Sequence, residues 1–410
     1  MSYTIPLPRL GIDLLSDETQ MPKGTVRAAV NVDIDKRGQF ARRQGTALVS
    51  PGEGYGDLYP WGRMLLARRG STLVSIDPET LAETALIGLG SDDPVSFTPY
   101  NGHLYIAARH ELLMVHAQDG PRKAGVSLPA SLPTLSAGTA GALGAGKYTA
   151  AISVVDAHGE ESPTHVFGQV DAESGLLLTG LAIVPGMRWR IYITPPDGDQ
   201  LYLAEEFAAV FSQFSVTVSP TGAPCSTLYL AAMPGGHIVR GYNGRLYVAN
   251  GSTLWFSEPL RPHLVSPRHG FLQFTGRIRM VEPTDSGIYV GDDRGVWWLA
   301  GGDPNDFKQQ MASDTSPLDG SSIVVPSHHL GAIENRAPGD YVVWMSPDGH
   351  MVGTADGTVN PLNSGRIKVA PEVAGQSVFF IRDGVKQIIT LTASPGPSAV
   401  FGSAIDTNLQ

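Results

Sequence analysis

Short stretches in which apolar and polar residues alternate, each ending in Gly, Asn or Asp, run along nearly the whole chain, whereas apolar residues spaced for one face of a helix are almost absent. Only Glu205–Phe214 has a composition that suits a turn or two of helix. The pattern predicts an all-β protein built of hairpins, and one hairpin design repeats. Asn101-Gly-His-Leu-Tyr-Ile-Ala-Ala108 with Leu112-Leu-Met-Val115 matches Asn243-Gly-Arg-Leu-Tyr-Val-Ala-Asn250 with Leu254-Trp-Phe-Ser257. Weaker copies stand at Gly62–Ala67 with Thr72–Ser75, Ser286–Gly291 with Val296–Leu299, Tyr341–Trp344 with His350–Val352, and Ser377–Phe380 with Val385–Ile388.

Leu65 to Leu104 is 39 residues and Leu246 to Ile288 is 42, the length of one four-stranded propeller blade. A pair of adjacent β-sandwiches would also contain such hairpins. The interval from Leu104 to Leu246, 142 residues, favours the propeller, because it equals one blade plus about 100 residues, the size of an immunoglobulin-like sandwich. Pro-rich joints at Ser127–Pro133 and Ser219–Pro224 bracket the extra segment. The expected organisation is an N-terminal arm over 1–23, a β-propeller-like body over 24–132 and 225–399, an inserted sandwich over 133–224 and a C-terminal tail over 400–410.

Composition narrows the function. The chain has 410 residues, 42% of them apolar, enough for two or three cored domains. Only 17% are charged, and 48 Gly and 31 Pro fit many short strands joined by turns. A net charge of −10 without a basic block disfavours an electrostatic grip on DNA or on an acidic membrane. The densest basic group is Lys36, Arg37, Arg42 and Arg43. A single cysteine, Cys225, permits no intramolecular disulfide. Met1–Leu15 lacks the basic and apolar regions of a secretory signal, and no apolar run approaches the roughly 18 residues of a membrane span. Synthesis and assembly in the cytoplasm are expected.

Within the insert, Gly146-Lys-Tyr-Thr, Asp156-Ala-His-Gly-Glu-Glu-Ser-Pro163, Arg190-Ile-Tyr-Ile-Thr194 and Tyr202-Leu-Ala-Glu205 follow one another. This succession resembles the fibronectin-III-like modules embedded in phage virion proteins. Asn31–Gly45, Met233-Pro-Gly-Gly236 and Leu254-Trp-Phe-Ser-Glu-Pro259 extend the likeness to tail nozzle and packaged-DNA-stabilisation proteins of tailed bacteriophages. The resemblance implies a non-enzymatic structural protein of the virion tail that forms or closes the lower DNA channel and retains the packaged genome. It implies a homo-oligomer, in the form of a sixfold ring, in contact with portal, adaptor or other tail proteins. Genomic DNA would pass without tight binding, and no membrane or cofactor would be involved. The alternative is a carbohydrate- or receptor-binding tail component, since both kinds of domain display recognition loops.

Other motifs point to chemistry less well. Gly141-Ala-Leu-Gly-Ala-Gly-Lys147 begins like a phosphate-binding loop, but Tyr148 replaces the magnesium-binding hydroxyl and opens a strand instead of a helix. Asp33-Ile-Asp-Lys-Arg-Gly38 begins like a calcium loop, yet Arg37 and Gln44 occupy ligand positions, so a hairpin is expected. Asp292-Asp293 reads as another hairpin turn. His328 and His329 have no further ligand at zinc spacing and are assigned to a loop. Glu160-Glu161 and Glu205-Glu206 are neighbours in turns or short segments, which leaves two distant acids meeting in a cleft, as in a glycosidase, as the main enzymatic rival. Trp297 and Trp298 are successive strand residues and must face opposite ways; one is expected in the core, and the other either anchors a neighbouring subunit or is covered by an adjoining loop. Arg37, Arg42, Arg43, Trp297 and Trp298 are the candidate subunit contacts; no catalytic, cofactor or metal residue is assigned.

Overall fold

The structure is a computed structural model and describes residues 12–17, 19–27, 32–34, 39–42, 54–116, 120–330, 339–363, 367–370, 374–382, 385–393 and 401–409. Within them the protein is all-β, the single helical element being the 3-10 turn Ser327–His329. No helix is long and apolar enough to cross a membrane.

Five sheets are four-stranded antiparallel meanders in chain order, which is the construction of a propeller blade. The first comprises Tyr55–Trp61, Met64–Arg69, Thr72–Ile76 and Glu83–Gly88, and the second Ser96–Tyr100, His103–Ala108, Glu111–His116 and Gly120–Lys123. The third holds Ile238–Tyr242, Arg245–Asn250, Thr253–Phe256 and Phe271–Gln273, and the fourth Ile278–Thr284, Gly287–Asp292, Gly295–Ala300 and Lys308–Ser313. The fifth holds Ile323–Pro326, Asp340–Ser346, Gly349–Gly353 and Val359–Pro361, and a sixth, three-stranded sheet follows with Ala374–Arg382, Val385–Ala393 and Phe401–Leu409. The repeated hairpin forms the two middle strands of each four-stranded sheet. In two of them Asn-Gly makes a two-residue turn with both residues at positive φ: 48° and 77° at Asn101 and Gly102, 47° and 79° at Asn243 and Gly244. These are the angles of the turn whose twist matches paired strands.

What makes the sheets a propeller-like body is that the second to the fifth each pack against a neighbouring sheet on both faces. In the second blade Leu104 and Ile106 pack toward Leu66 and Leu73 of the first, while the alternate residues Tyr105 and Ala107 pack toward Val239 and Val248 of the third. Val290 and Leu299 of the fourth blade join Leu254 and Phe256 of the third, and Tyr289 and Trp298 join Val342 and Trp344 of the fifth. A polar chain also crosses the first strands of four blades. Arg240 in the third makes a two-bond ion pair with Glu282 in the fourth (3.0 and 2.7 Å) and donates to Ser96 Oγ in the second (3.0 Å), while Ser322, just ahead of the fifth, donates to Glu282 (2.7 Å).

Between the second and third blades the chain builds a two-layer sandwich. One layer orders Thr134–Gly138, Gly175–Thr179 and Gln213–Val216; the other orders His165–Ala172, Gly146–Val155, Arg188–Ile193 and Tyr202–Ala208. Seven strands split three and four is the layer count of an immunoglobulin-type sandwich, although the strand order within the layers differs from the constant-domain pattern. Its own core includes Tyr148, Ile152, Val154, Leu176, Trp189 and Ile191. The expected helix at Glu205–Phe214 is not formed: Tyr202–Ala208 pairs with Arg188–Ile193, and the side chain of Glu206 is held by Arg188 and Arg190 across that pair. The chain leaves the sandwich gradually. Gly222 and Cys225 still donate to Leu203 and Leu201, and Leu228 pairs with Thr164 before the return to the third blade.

Candidate functional site

Among the described residues a dense polar constellation lies where the sandwich meets the second and third blades. Its base is the turn Asp156–Pro163 after the long strand Gly146–Val155. Asp156 folds that turn by accepting from the amides of His158 and Glu160, each at 2.9 Å. The two glutamates that follow point in different directions. Glu161 is buried in the sandwich, where its carboxylate accepts from Ser153 Oγ (2.6 Å), Tyr192 Oη (2.7 Å), Arg190 Nη1 (2.7 Å) and Thr227 Oγ1 (3.3 Å). A carboxylate taken out of water is stable only when so many donors surround it. Burial, then the bond to Glu161, pushes the Tyr192 phenol above its usual range. Burial opposes the charge of Arg190, but its bonds to Glu206 and Glu161 outweigh that and raise it.

Glu160 instead reaches the body: it accepts from Arg122 Nη1 on the last strand of the second blade (2.8 Å) and from the amide of Gly125 (3.1 Å). The loop after the third strand of the next blade completes the joint. His263, 6% exposed, donates from Nε2 to the Glu161 carbonyl (3.0 Å). Gly125 sits on this ring at φ +81°, and a Cβ there would lie 2.9 Å from that of His263, so the position favours glycine through both backbone and space. The joint encloses a cleft of about 540 Å³ lined also by His103, His116, His158 and Arg261. Burial pulls the imidazoles of His263 and His103 below the usual range; for His103 the neighbouring His116 adds to this, and in both cases the charge of Glu160 opposes it.

The residues singled out from sequence lie elsewhere. Arg37 and Arg43 fall outside the described residues. Arg42 is exposed at the end of Phe40–Arg42, opposite Val32. Trp297 and Trp298 face opposite sides as expected. Trp298 is 4% exposed, with its ring 4.6 Å from that of Tyr289 between the fourth and fifth blades, so it is corrected from a subunit contact to a core residue. Trp297 is half-buried against the third blade.

The glycine-rich Gly141–Lys147 uses its amides internally, Ala142 donating to Thr217 and Leu143 to Ser174, and Gly146 opens a strand. His328 and His329 stand on the 3-10 turn rather than in an irregular loop. Among the described residues no group of three or more His, Cys, Asp or Glu could hold a metal ion. The acids that do share the cleft are the sequence neighbours Glu160 and Glu161, both engaged by donors. Sequence reasoning missed His103, Arg122 and His263, which come from two blades; the one signal pointing to them was the Asp-x-x-Gly-Glu-Glu turn.

No family model and no curated protein matches the chain. Similar solved structures include the Pan2 WD40 domain of Neurospora crassa (10% identity, 84% of this chain and 90% of that one, TM-score 0.34) and apo AztD from Citrobacter koseri (10%, 91% and 90%, 0.35). BBS1N in complex with ARL6DN is a third (13%, 80% and 83%, 0.30). Likeness at this level is loose, and the propeller-like assignment rests on the stacked four-stranded sheets themselves.

Proposed function

We propose that the chain is a non-enzymatic structural protein of a tailed-phage particle, assembled as a ring that forms or closes the lower DNA channel and retains the packaged genome. The sequence elements Asn31–Gly45 and Asp156–Pro163 support this reading through their resemblance to tail proteins. The structural observation that carries an assembly role is an apolar tip on the sandwich. Ile183, Val210 and Phe211 are 61%, 52% and 55% exposed on two loops tied together by Val184–Ala209 and Leu181–Ser212 hydrogen bonds. Exposed large apolar side chains that form a contiguous patch mark an interaction site.

The test is electron microscopy and mass measurement of the purified protein, alone and with the upper tail complex. A ring of sixfold symmetry is expected in at least one condition. Phe211→Asp should abolish it while leaving the circular dichroism unchanged. Monomers in both conditions and in virions refute the proposal.

A further inference from the structure

The described residues contain nine buried side-chain polar atoms without a hydrogen-bond partner, and three of them belong to residues that line the cleft of about 540 Å³ at the joint: His103 Nδ1, Arg122 Nε and His263 Nδ1. Unpartnered buried polar atoms are uncommon and expensive, so three at one cleft ask for a missing partner. Four of the chain's 11 histidines line the same cleft.

The chemistry of the missing partner follows from what remains unused. Glu160 and Glu161 already accept from protein donors. Arg122 spends Nη1 on Glu160 and the Lys123 carbonyl but leaves its Nε–H unused. Arg261 donates only to the carbonyl and hydroxyl of Ser226 and has no carboxylate partner among the described residues. What stands unused is the Arg122 Nε–H and an Arg261 guanidinium without a carboxylate partner among the described residues, beside two imidazole nitrogens that can take up a proton. We propose that this cleft binds a small oxyanion, held by Arg122 with His103 and His263 and steered by Arg261.

His263 ties binding to protons. Its Nε2 carries the hydrogen given to the Glu161 carbonyl, so Nδ1 of the neutral ring is a lone pair and can meet an anion only after taking up a proton. The charged and titratable groups around the two imidazoles are Glu160, Glu161, Asp156, Arg122, Arg190, Arg261, Tyr105, His116 and His158. Burial, the largest influence on both imidazoles, favours their neutral form; an oxyanion supplies negative charge that stabilises the protonated form. Anion affinity must therefore rise as pH falls, by up to about tenfold per pH unit for each linked proton.

The experiment is titration calorimetry of the full chain with sodium sulfate, which keeps one charge state across the range, against sodium chloride at matched ionic strength, at pH 5.5 and 7.5. The expected result is one sulfate per chain, bound at least tenfold more tightly at pH 5.5 and with proton uptake that shows as dependence on the buffer. Arg122→Gln should weaken it at least tenfold. Because Arg122 also anchors Glu160, imidazole NMR of the unaltered protein provides an independent reading: sulfate, and not chloride, should shift two histidine ring signals, assigned with His103→Gln and His263→Gln. No response to sulfate, or a response equal to that of chloride, would mean that the cleft has no oxyanion site, and sulfate binding without proton uptake would remove the histidines from the site; each of these overturns the proposal. The outcome is independent of whether the protein forms a tail ring.

Discussion

Removing one member of the Arg240–Glu282 pair should damage the body more than any surface change. The Glu282 side chain is 4% exposed and that of Arg240 25%. Arg240→Met keeps the stem but deletes both bonds to Glu282 and the bond to Ser96, leaving the carboxylate with the Ser322 hydroxyl at 2.7 Å. An uncompensated buried charge costs about 3–5 kcal/mol. Glu282→Gln still offers Arg240 an acceptor and should cost less, about 1–3 kcal/mol. The double change to Met and Leu removes both charges together and should recover most of the loss, because apolar replacement of a buried pair is often nearly neutral. Urea unfolding followed by tryptophan fluorescence is the assay, since five of the six tryptophans lie in the body and Trp189 alone in the sandwich. Circular dichroism run in parallel separates the two domains, which need not unfold together. A loss below about 1 kcal/mol for Arg240→Met, or a double variant as unstable as the two single losses combined, would refute the reasoning.

Gly125→Ala combines a positive φ with a Cβ 2.9 Å from that of His263 and should cost about 1–3 kcal/mol, read as a lowered melting temperature and faster proteolysis at the 124–133 joint. His350, fully buried and bonded to Thr390 Oγ1 at 2.7 Å, has its pKa lowered by burial to about 4. The unfolded chain then binds the proton more tightly, so stability is complete above about pH 6.5 and falls as pH drops toward 4, by about 3 kcal/mol; His350→Gln should flatten the pH dependence of urea unfolding across that window. With 29 basic against 39 acidic residues, the isolated protein should show no salt-sensitive duplex DNA binding in the range of about 10⁻⁴ to 10⁻⁶ M typical of nonspecific binders, and micromolar affinity in a fluorescence titration would overturn the conduit reading.

The blades were legible because each local signal agreed with the architecture. Asn101-Gly102 and Asn243-Gly244 name a turn type, and the alternation after them carries residues buried on both faces. The insert was legible from the Pro-rich joint before Thr134. Its far boundary was less so, because Gly222–Leu228 still bonds to the sandwich edge through residues that read as an ordinary turn. The polar contacts were hidden for a different reason. Arg240 and Glu282 stand 42 residues apart, one blade repeat, and nothing in a single sequence says that these two first-strand positions are charged in order to meet. His103, Arg122, Glu160 and His263 converge only because an insertion folds back onto the blades that flank it.

That folding back decides what kind of appendage the sandwich is. The blade stack passes the insertion without a break: Val239 and Gly241 of the third blade donate to Ser96 and Thr98 of the second at 3.1 and 3.2 Å, and Gly236 donates to Ala108 at 2.9 Å. The body therefore does not need the sandwich to complete its seam. The sandwich, in turn, has its own core around Tyr148, Ile152 and Trp189. Two self-sufficient units joined only by linkers would move freely against each other. Here Arg122–Glu160 and His263–Glu161 tie the turn Asp156–Pro163 to both blades at once, and Glu161 runs the tie into the sandwich interior through Ser153, Tyr192 and Arg190. The exposed tip at Ile183, Val210 and Phe211 thus stands on a unit bonded through buried Glu161 and its turn to the second and third blades, and not on linkers alone.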